Sequence, residues 1–341
     1  MKRTLALLCV LSALTPPAFS GVVKKTRSEV TFKGFGRFST SQSEKLVPQK
    51  HRVDSRNDFK GKGLLGGLAG KTVLRSGDFG EITDLPALSV YRLDPKKKEY
   101  TVSPIKKLSE EMKGEKGEEK EAERPAAEKP AESDVKIVKS EFKVEETGES
   151  QTINSFQATK YLITWIVEWQ NVRTGEKGTN SLESVVWATP YTDLIVKAQG
   201  EEQKFFRAYM KAIGLDQDKL QQDVLGTNWM SILDGMNAAK GRPGTSSAIA
   251  KSANEMKKIK GYPVLIDGKY TVISDRPQGE SEEEGSKGLL GGLAKKVLKK
   301  KPSGEEAKEP ALVYHIEVLE LSLADLADAD FQVPADYKKK G

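Results

Sequence analysis

The chain has 341 residues, 37 % of them hydrophobic and 30 % charged, with a formal charge of +6 and a single cysteine. That size supports one sizeable core, and the mild basic excess, set in lysine clusters away from aromatic residues, does not describe a nucleic-acid binder. Cys9 lies in the leading apolar run, so once that run is removed, disulfides, thiolate metal sites and cysteine nucleophiles are excluded.

The first twenty residues, MKRTLALLCVLSALTPPAFS, combine a basic start (Lys2, Arg3), a short apolar run and a small-x-small end at Ala18-Phe19-Ser20. This pattern predicts a signal peptide cleaved near Ser20 and a soluble periplasmic or secreted product. Loss of Lys2 and Arg3 lowers the formal charge to about +4. Residues 21–104 are expected to supply the N-terminal strands. Val30, Phe32 and Phe38 fall on one alternating face of an expected strand, with Gly34-Phe35-Gly36 as a bulge or sheet bend inside it. Residues 88–93 and 99–103 flank Asp94-Pro95-Lys96-Lys97 and predict a hairpin.

Residues 105–134 form a Glu-, Lys-, Ala- and Pro-rich stretch with little to bury, which predicts a disordered charged linker. Strands resume at 135–145 through Val135, Ile137, Phe142 and Val144. The longest predicted strand covers 159–169, with Tyr161, Ile163, Trp165, Val167 and Trp169 alternating on one face. A turn at 171–175 leads into 181–188, which carries Val185 and Trp187. Helical spacing then takes over between 201 and 260. Phe205, Phe206, Tyr209, Met210 and Ile213 make one face that stops at Gly214, and Leu220, Val224, Leu225 and Trp229 belong to a second face. The last predicted strands are 263–274 and 312–322, separated by a charged loop at 275–310, with a C-terminal strand and tail at 311–341. Strands joined by short turns pair antiparallel. The order predicts an α+β fold, a single antiparallel sheet with one face covered by the helical block.

The octapeptide KGLLGGLA occurs at 62–69 and again at 287–294. In the second copy and the residues after it, Leu289, Leu290, Leu293, Val297 and Leu298 oppose Lys295, Lys296, Lys299 and Lys300, a basic amphipathic pattern that suits a membrane surface or a partner helix. The first copy repeats the apolar arc with Leu64, Leu65 and Leu68. Paired glycines at about 1 kcal/mol each disfavour a free helix. Three readings stay open: a neutral duplication, a lid over the sheet, and a lipid contact.

Several short stretches carry a resemblance: VYRLDPKKKEYT (90–101), TINSFQATKY (152–161), SVVWATP (184–190), GYPV (261–264) and FQVPADYKKK (331–340). In this order they resemble a bacterial secreted domain family of unknown function, similar in layout to the lipoprotein carriers LolA, LolB and RseB. The resemblance implies a strongly curved antiparallel sheet, an open half-barrel around an apolar cavity with helices as a lid. It implies a binder of acyl chains or lipoproteins in the envelope. Relative to that layout the charged linker and both KGLLGGLA loops are insertions.

No zincin spacing, phosphate-binding loop or nucleophile elbow is present, and the expectation is a protein that is not an enzyme and holds no cofactor or metal. His315, alone in a strand, reads as a surface or satisfied polar residue. Asp328 and Asp330, or Asp54 and Asp58, lack metal-loop spacing. Trp165, Trp169 and Trp187 share a strand pair and either pack as core or line an apolar site, for which Phe205, Phe206 and Trp229 are further candidates. The sequence thus points to an exported binder of a lipid, an acylated protein or another apolar ligand, with possible peripheral membrane contact and no nucleic acid. The alternative is an envelope interaction or stress-sensing module without a small ligand.

Overall fold

The computed structural model describes residues 19–62, 76–107, 135–215, 254–275 and 309–340. Among them the strands are β1 (Phe19–Phe32), β2 (Gly36–Val47), β3 (Lys50–Gly61), β4 (Gly77–Asp84), β5 (Ser89–Asp94), β6 (Glu99–Pro104), β7 (Val135–Ile153), β8 (Phe156–Asn171), β9 (Lys177–Thr189), β10 (Tyr262–Ser274), β11 (Leu312–Leu326) and β12 (Lys338–Lys339). They form one open sheet in the order β12-β6-β5-β4-β3-β2-β1-β11-β10-β9-β8-β7. Two meanders, β1–β6 and β7–β11, are therefore joined through the antiparallel β1–β11 pair. All pairings are antiparallel except the two-residue β12, which runs parallel to β6. The antiparallel sheet expected from short turns is present, and the one long helix among the described residues is α1, Asp193–Ala212.

The register explains the local patterns. In β8, Tyr161, Ile163, Trp165, Val167 and Trp169 are buried while their neighbours are half-buried, the two-residue period of a strand with one core face. The break in the β7 pattern after Ile137 is a bulge: pairing shifts between Ile137 and Lys139, so that Ile137, Phe142 and Val144 all meet the core face of β8. Asn171 closes the β8–β9 turn by accepting from the N–H groups of Arg173 and Thr174 at 2.9 and 3.0 Å, with Gly175 in the left-handed region at φ 75°. The stretch around Gly34 corrects the expected single strand. Residues 33–35 are a hairpin turn between β1 and β2, with Gly34 at φ 72° and Gly36 at φ 140°. Val30 and Phe38 still share a face, because they are cross-strand partners.

Helix α1 begins eight residues before the expected start. Thr192 caps it by accepting from the Ile195 N–H at 3.4 Å, and Asp193 sits in the first turn. Gly214, at φ 76°, ends it as expected: Leu215 N–H donates to Met210 O and Gly214 N–H to Lys211 O, which satisfies the last carbonyls. The second expected helical face, with Leu220 through Trp229, lies outside the described residues, as do the residues before Phe19, most of the charged linker and nearly all of both KGLLGGLA copies.

Helix α1 lies across β1, β2 and β11, on the sheet face that also carries Trp165; this is called the helix face below. One core fills that face over β7–β11, with Tyr161, Trp165, Leu182, Val186, Ile266, Tyr270 and Tyr314. A second gathers Val22, Leu46, Val318 and Leu321 under Ile195 and Ala198 of α1. A third lies on the opposite face of the N-terminal meander, where the chain after β11 packs Phe331, Val333 and Tyr337 against Val47, Ile82, Leu93, Tyr91 and Tyr100.

This third core joins two stretches that are far apart in sequence. Lys98 pairs with Asp336 at 2.8 Å, Lys338 N–H donates to Lys98 O at 2.9 Å, and Lys340 N–H donates to Tyr100 O at 2.8 Å. VYRLDPKKKEYT and FQVPADYKKK are thus two halves of one clamp on the outside of the sheet.

Candidate functional site

The aromatic face predicted from β8 exists, and its rings are packed. Trp165 is 2 % exposed and Trp169 4 %. The Trp169 ring lies over Gly178 of β9, where any side chain would collide with it, and its N–H donates to Asn180 Oδ1 at 3.3 Å. Tyr314 covers Gly268 in the same manner, and its hydroxyl meets Ser184 Oγ at 2.7 Å. Burial pushes the Tyr314 phenol up to about 12, so the Ser184–Tyr314 pair stays neutral and serves as an internal hydrogen bond.

Trp187 does not join Trp165 and Trp169. Its register partner is Lys160, so it projects from the opposite face of the sheet, with the Lys160 ammonium 5.8 Å from its ring. There it packs with Ile153, Phe156 and Ala158 of the β7–β8 hairpin. The tip of that hairpin is held to β11 by Asn154, which donates to Glu317 Oε1 at 3.1 Å and Val318 O at 2.8 Å. Alternation alone puts Val185 and Trp187 on one face of β9, but not on which one.

Of the helix candidates, Phe205 is half-buried against the second core, meets the His51 ring at a tilt with centroids 5.2 Å apart and stacks on Tyr209 at 6.2 Å. Phe206 is half-buried as well. Trp229 and the proposed lid or membrane residues (Leu64, Leu65, Leu68, Leu289, Leu290, Leu293, Lys295, Lys296, Val297, Leu298, Lys299 and Lys300) lie outside the described residues.

Beneath α1 sits an ionic cluster that the sequence reading missed. Lys24 of β1 reaches Glu202 of α1 at 2.7 Å and Glu44 of β2 at 3.6 Å, and Glu44 meets His51 of β3 at 3.4 Å. Burial pulls the Lys24 ammonium down, but the Glu202 and Glu44 carboxylates outweigh it and hold the group above its ordinary value. Burial likewise pushes Glu44 up, and the His51 hydrogen bond and the Lys24 charge reverse this, leaving it below the usual carboxylate range. Burial raises the neighbouring Tyr262 phenol. Every charge here has a partner, so the cluster fixes the helix on the sheet and offers no unpaired nucleophile or base. It escaped notice because it comes from three polar strands and a helix whose juxtaposition only the fold creates.

The opposite face of β10 and β11 carries a chain of polar contacts. His315 Nδ1 lies 2.8 Å from Asp267, its Nε2 3.5 Å from Glu317, and Glu317 pairs with Arg27 at 2.6 Å. His315 is thus a satisfied surface residue, as expected of a lone strand histidine. Asp328 and Asp330 are bound by Lys50 and Lys45, which ties the segment after β11 to β2 and β3. Among the described residues no group of three or more His, Cys, Asp or Glu side chains is arranged to hold a metal.

Among the described residues, the exposed large apolar side chains are unevenly distributed. Phe32, Phe79, Val138, Val172, Ile273 and Val313 all belong to the sheet end defined by the β1–β2 turn, the start of β11 and the β8–β9 turn. Phe35 bridges Phe32 and Phe59 there, with ring centroids at 6.3 and 5.6 Å. The two connections that include KGLLGGLA leave from this same end, one after Gly61 of β3 and the other after Ser274 of β10. Leu88, Tyr191 and Val196 are exposed at the other end.

No family model, curated protein or solved structure matches the chain. No helix among the described residues is long and apolar enough to cross a membrane.

Proposed function

We propose that this is an exported binding protein for a lipid, an acylated protein or another apolar ligand. The open sheet acts as a strongly curved half-barrel with helical cover on its helix face, and the apolar ligand is met at the end that exposes Phe32, Phe79, Ile273 and Val313. The observation that carries this reading is the concentration of exposed apolar side chains at one end, since scattered apolar residues are ordinary and clustered ones mark contact sites. The departure of both identical octapeptide connections from that end supports it, because short apolar and basic segments gain structure on an apolar surface. On this reading the protein is not an enzyme and needs no cofactor.

The test is native mass spectrometry of protein exported through a bacterial periplasm, together with flotation on phosphatidylethanolamine–phosphatidylglycerol vesicles. A co-purified mass in the phospholipid or acyl range, or flotation, is expected. The double variant Phe32→Ser, Val313→Ser should bind vesicles roughly tenfold more weakly or worse, since full burial of one large apolar side chain is worth about 1.5–3 kcal/mol and only the exposed two-fifths of each remains to be covered. A clean protein mass with no flotation overturns the proposal.

A second reading has its own observation. Trp165 and Tyr161 are closed off in the core, each 2 % exposed, which is what a plain scaffold shows. On that reading the sheet supports an envelope interaction module, and a protein partner replaces the lipid.

A further inference from the structure

The two margins of the sheet are treated differently. At one, β6 is covered by β12. At the other, the 19-residue β7 pairs only with β8 among the described residues. Between its bulges, at Ile137/Lys139 and Glu146/Ser150, residues 139–146 run as a regular strand. The direction of its free hydrogen-bonding groups is fixed by one contact: Val144 N–H points away from β8 and donates to Glu255 Oε2 at 3.0 Å. By strand alternation Phe142 and Ser140 present their main-chain groups outward as well.

We infer that this edge pairs with β7 of a second copy of the chain, antiparallel about a two-fold axis at Phe142. In that register Phe142 faces Phe142 and Ser140 faces Val144, the residues with outward main-chain groups, so the hydrogen-bonding and side-chain registers agree. The intervening residues then meet with opposite charge: Lys139 faces Glu145 of the second copy and Glu141 faces its Lys143, each pair formed twice by symmetry.

In the single chain these residues form the exposed pairs Lys139–Glu141 at 2.9 Å and Lys143–Glu145 at 2.5 Å, which pairing across the edge exchanges for cross-strand ones. Charges on an edge strand ordinarily oppose such pairing. Here their alternation makes the edge complementary to itself while disfavouring registers shifted by two residues, which put like charges opposite each other. Glu255 occupies the Val144 site and competes with the second copy; once displaced it keeps Lys258, 2.7 Å away.

The test is sedimentation equilibrium of the full chain over a wide concentration range. A monomer–dimer equilibrium is expected, strengthened in Glu255→Ala, where the competing carboxylate is gone. Glu141→Lys sets lysine against Lys143 in both symmetric pairs and should weaken the dimer roughly tenfold, while the swap Glu141→Lys, Lys143→Glu should restore it. Glu141 and Lys143 are exposed and Glu255 is half-buried, and unchanged circular dichroism spectra will show that the variants fold. A chain that stays monomeric both as such and with Glu255→Ala overturns the inference, as does a dimer indifferent to Glu141→Lys. Neither result depends on whether the protein binds lipid.

Discussion

Lys24 is a shielded ammonium held by two carboxylates, Glu202 at 2.7 Å and Glu44 at 3.6 Å. Because it is shielded and holds two carboxylates, Lys24→Met should destabilise the fold by about 3 kcal/mol, the cost of leaving a shielded carboxylate without its cation. Lys25→Met, which breaks an exposed pair with Glu320, should cost less than about 1 kcal/mol. Urea denaturation followed by tryptophan fluorescence separates the two.

The pH dependence has a definite sign on each side. The folded Lys24 value is raised above its ordinary 10.5, so its contribution is complete below that pH and is lost as pH rises through the folded value. Glu44 is lowered from 4.5, so its contribution is complete above that pH and is lost as pH falls through the folded value. Stability should therefore fall at both extremes, and Lys24→Met should reduce the alkaline loss, the remainder coming from the exposed lysines Lys98, Lys139 and Lys143 and from Lys50, which their carboxylate partners also raise. A variant with an unchanged alkaline loss refutes the assignment. No sequence pattern marks Lys24, because its partners lie 20 and 178 residues away.

At the scale of elements, what could be read was set by burial. Strand β8 announced itself through alternation because one of its faces is core, and β5–β6 through the Asp94-Pro95 turn. Strands β2 and β3 gave no such signal. Ser39, Thr40, Ser41, Gln42 and Ser43 are held by ladders on both sides rather than by a greasy face, and ladder hydrogen bonds leave no trace in side-chain hydropathy.

The segment after β11 is a second case. FQVPADY reads as a tail, yet Phe331 is buried against Val47, Ile82 and Leu93. Phe331→Ala should cost about 3–4 kcal/mol, as buried aromatic truncations do, whereas Asp336→Ala at the exposed Lys98 pair should cost less than about 1 kcal/mol. Thermal unfolding of both variants tests the clamp, and equal effects would refute it.

For the whole molecule the β1–β11 pairing matters most. Strand β11 touches β1 on one side and β10 on the other, so it alone connects the two meanders within the sheet. A chain ended at Pro310 should lose the single cooperative transition, with both β1 and β10 left as open edges and the clamp removed. Calorimetry showing one sharp transition in that truncation would contradict this. The join is non-local, spanning 280 residues or more between partners such as Phe32 and Leu312, which predicts slow folding.

By itself the sequence determined the two-residue period of β8, the β5–β6 and β8–β9 turns, the end of α1 at Gly214 and hence an antiparallel sheet, because these follow from local sterics and from which side chains avoid water. Only the tertiary structure decided that Trp187 faces away from Trp165, that Lys24 meets Glu202, that two distant stretches form one clamp and that exposed apolar residues gather at one end. Those facts depend on register between strands and on which strands are neighbours, and a two-residue period is blind to both.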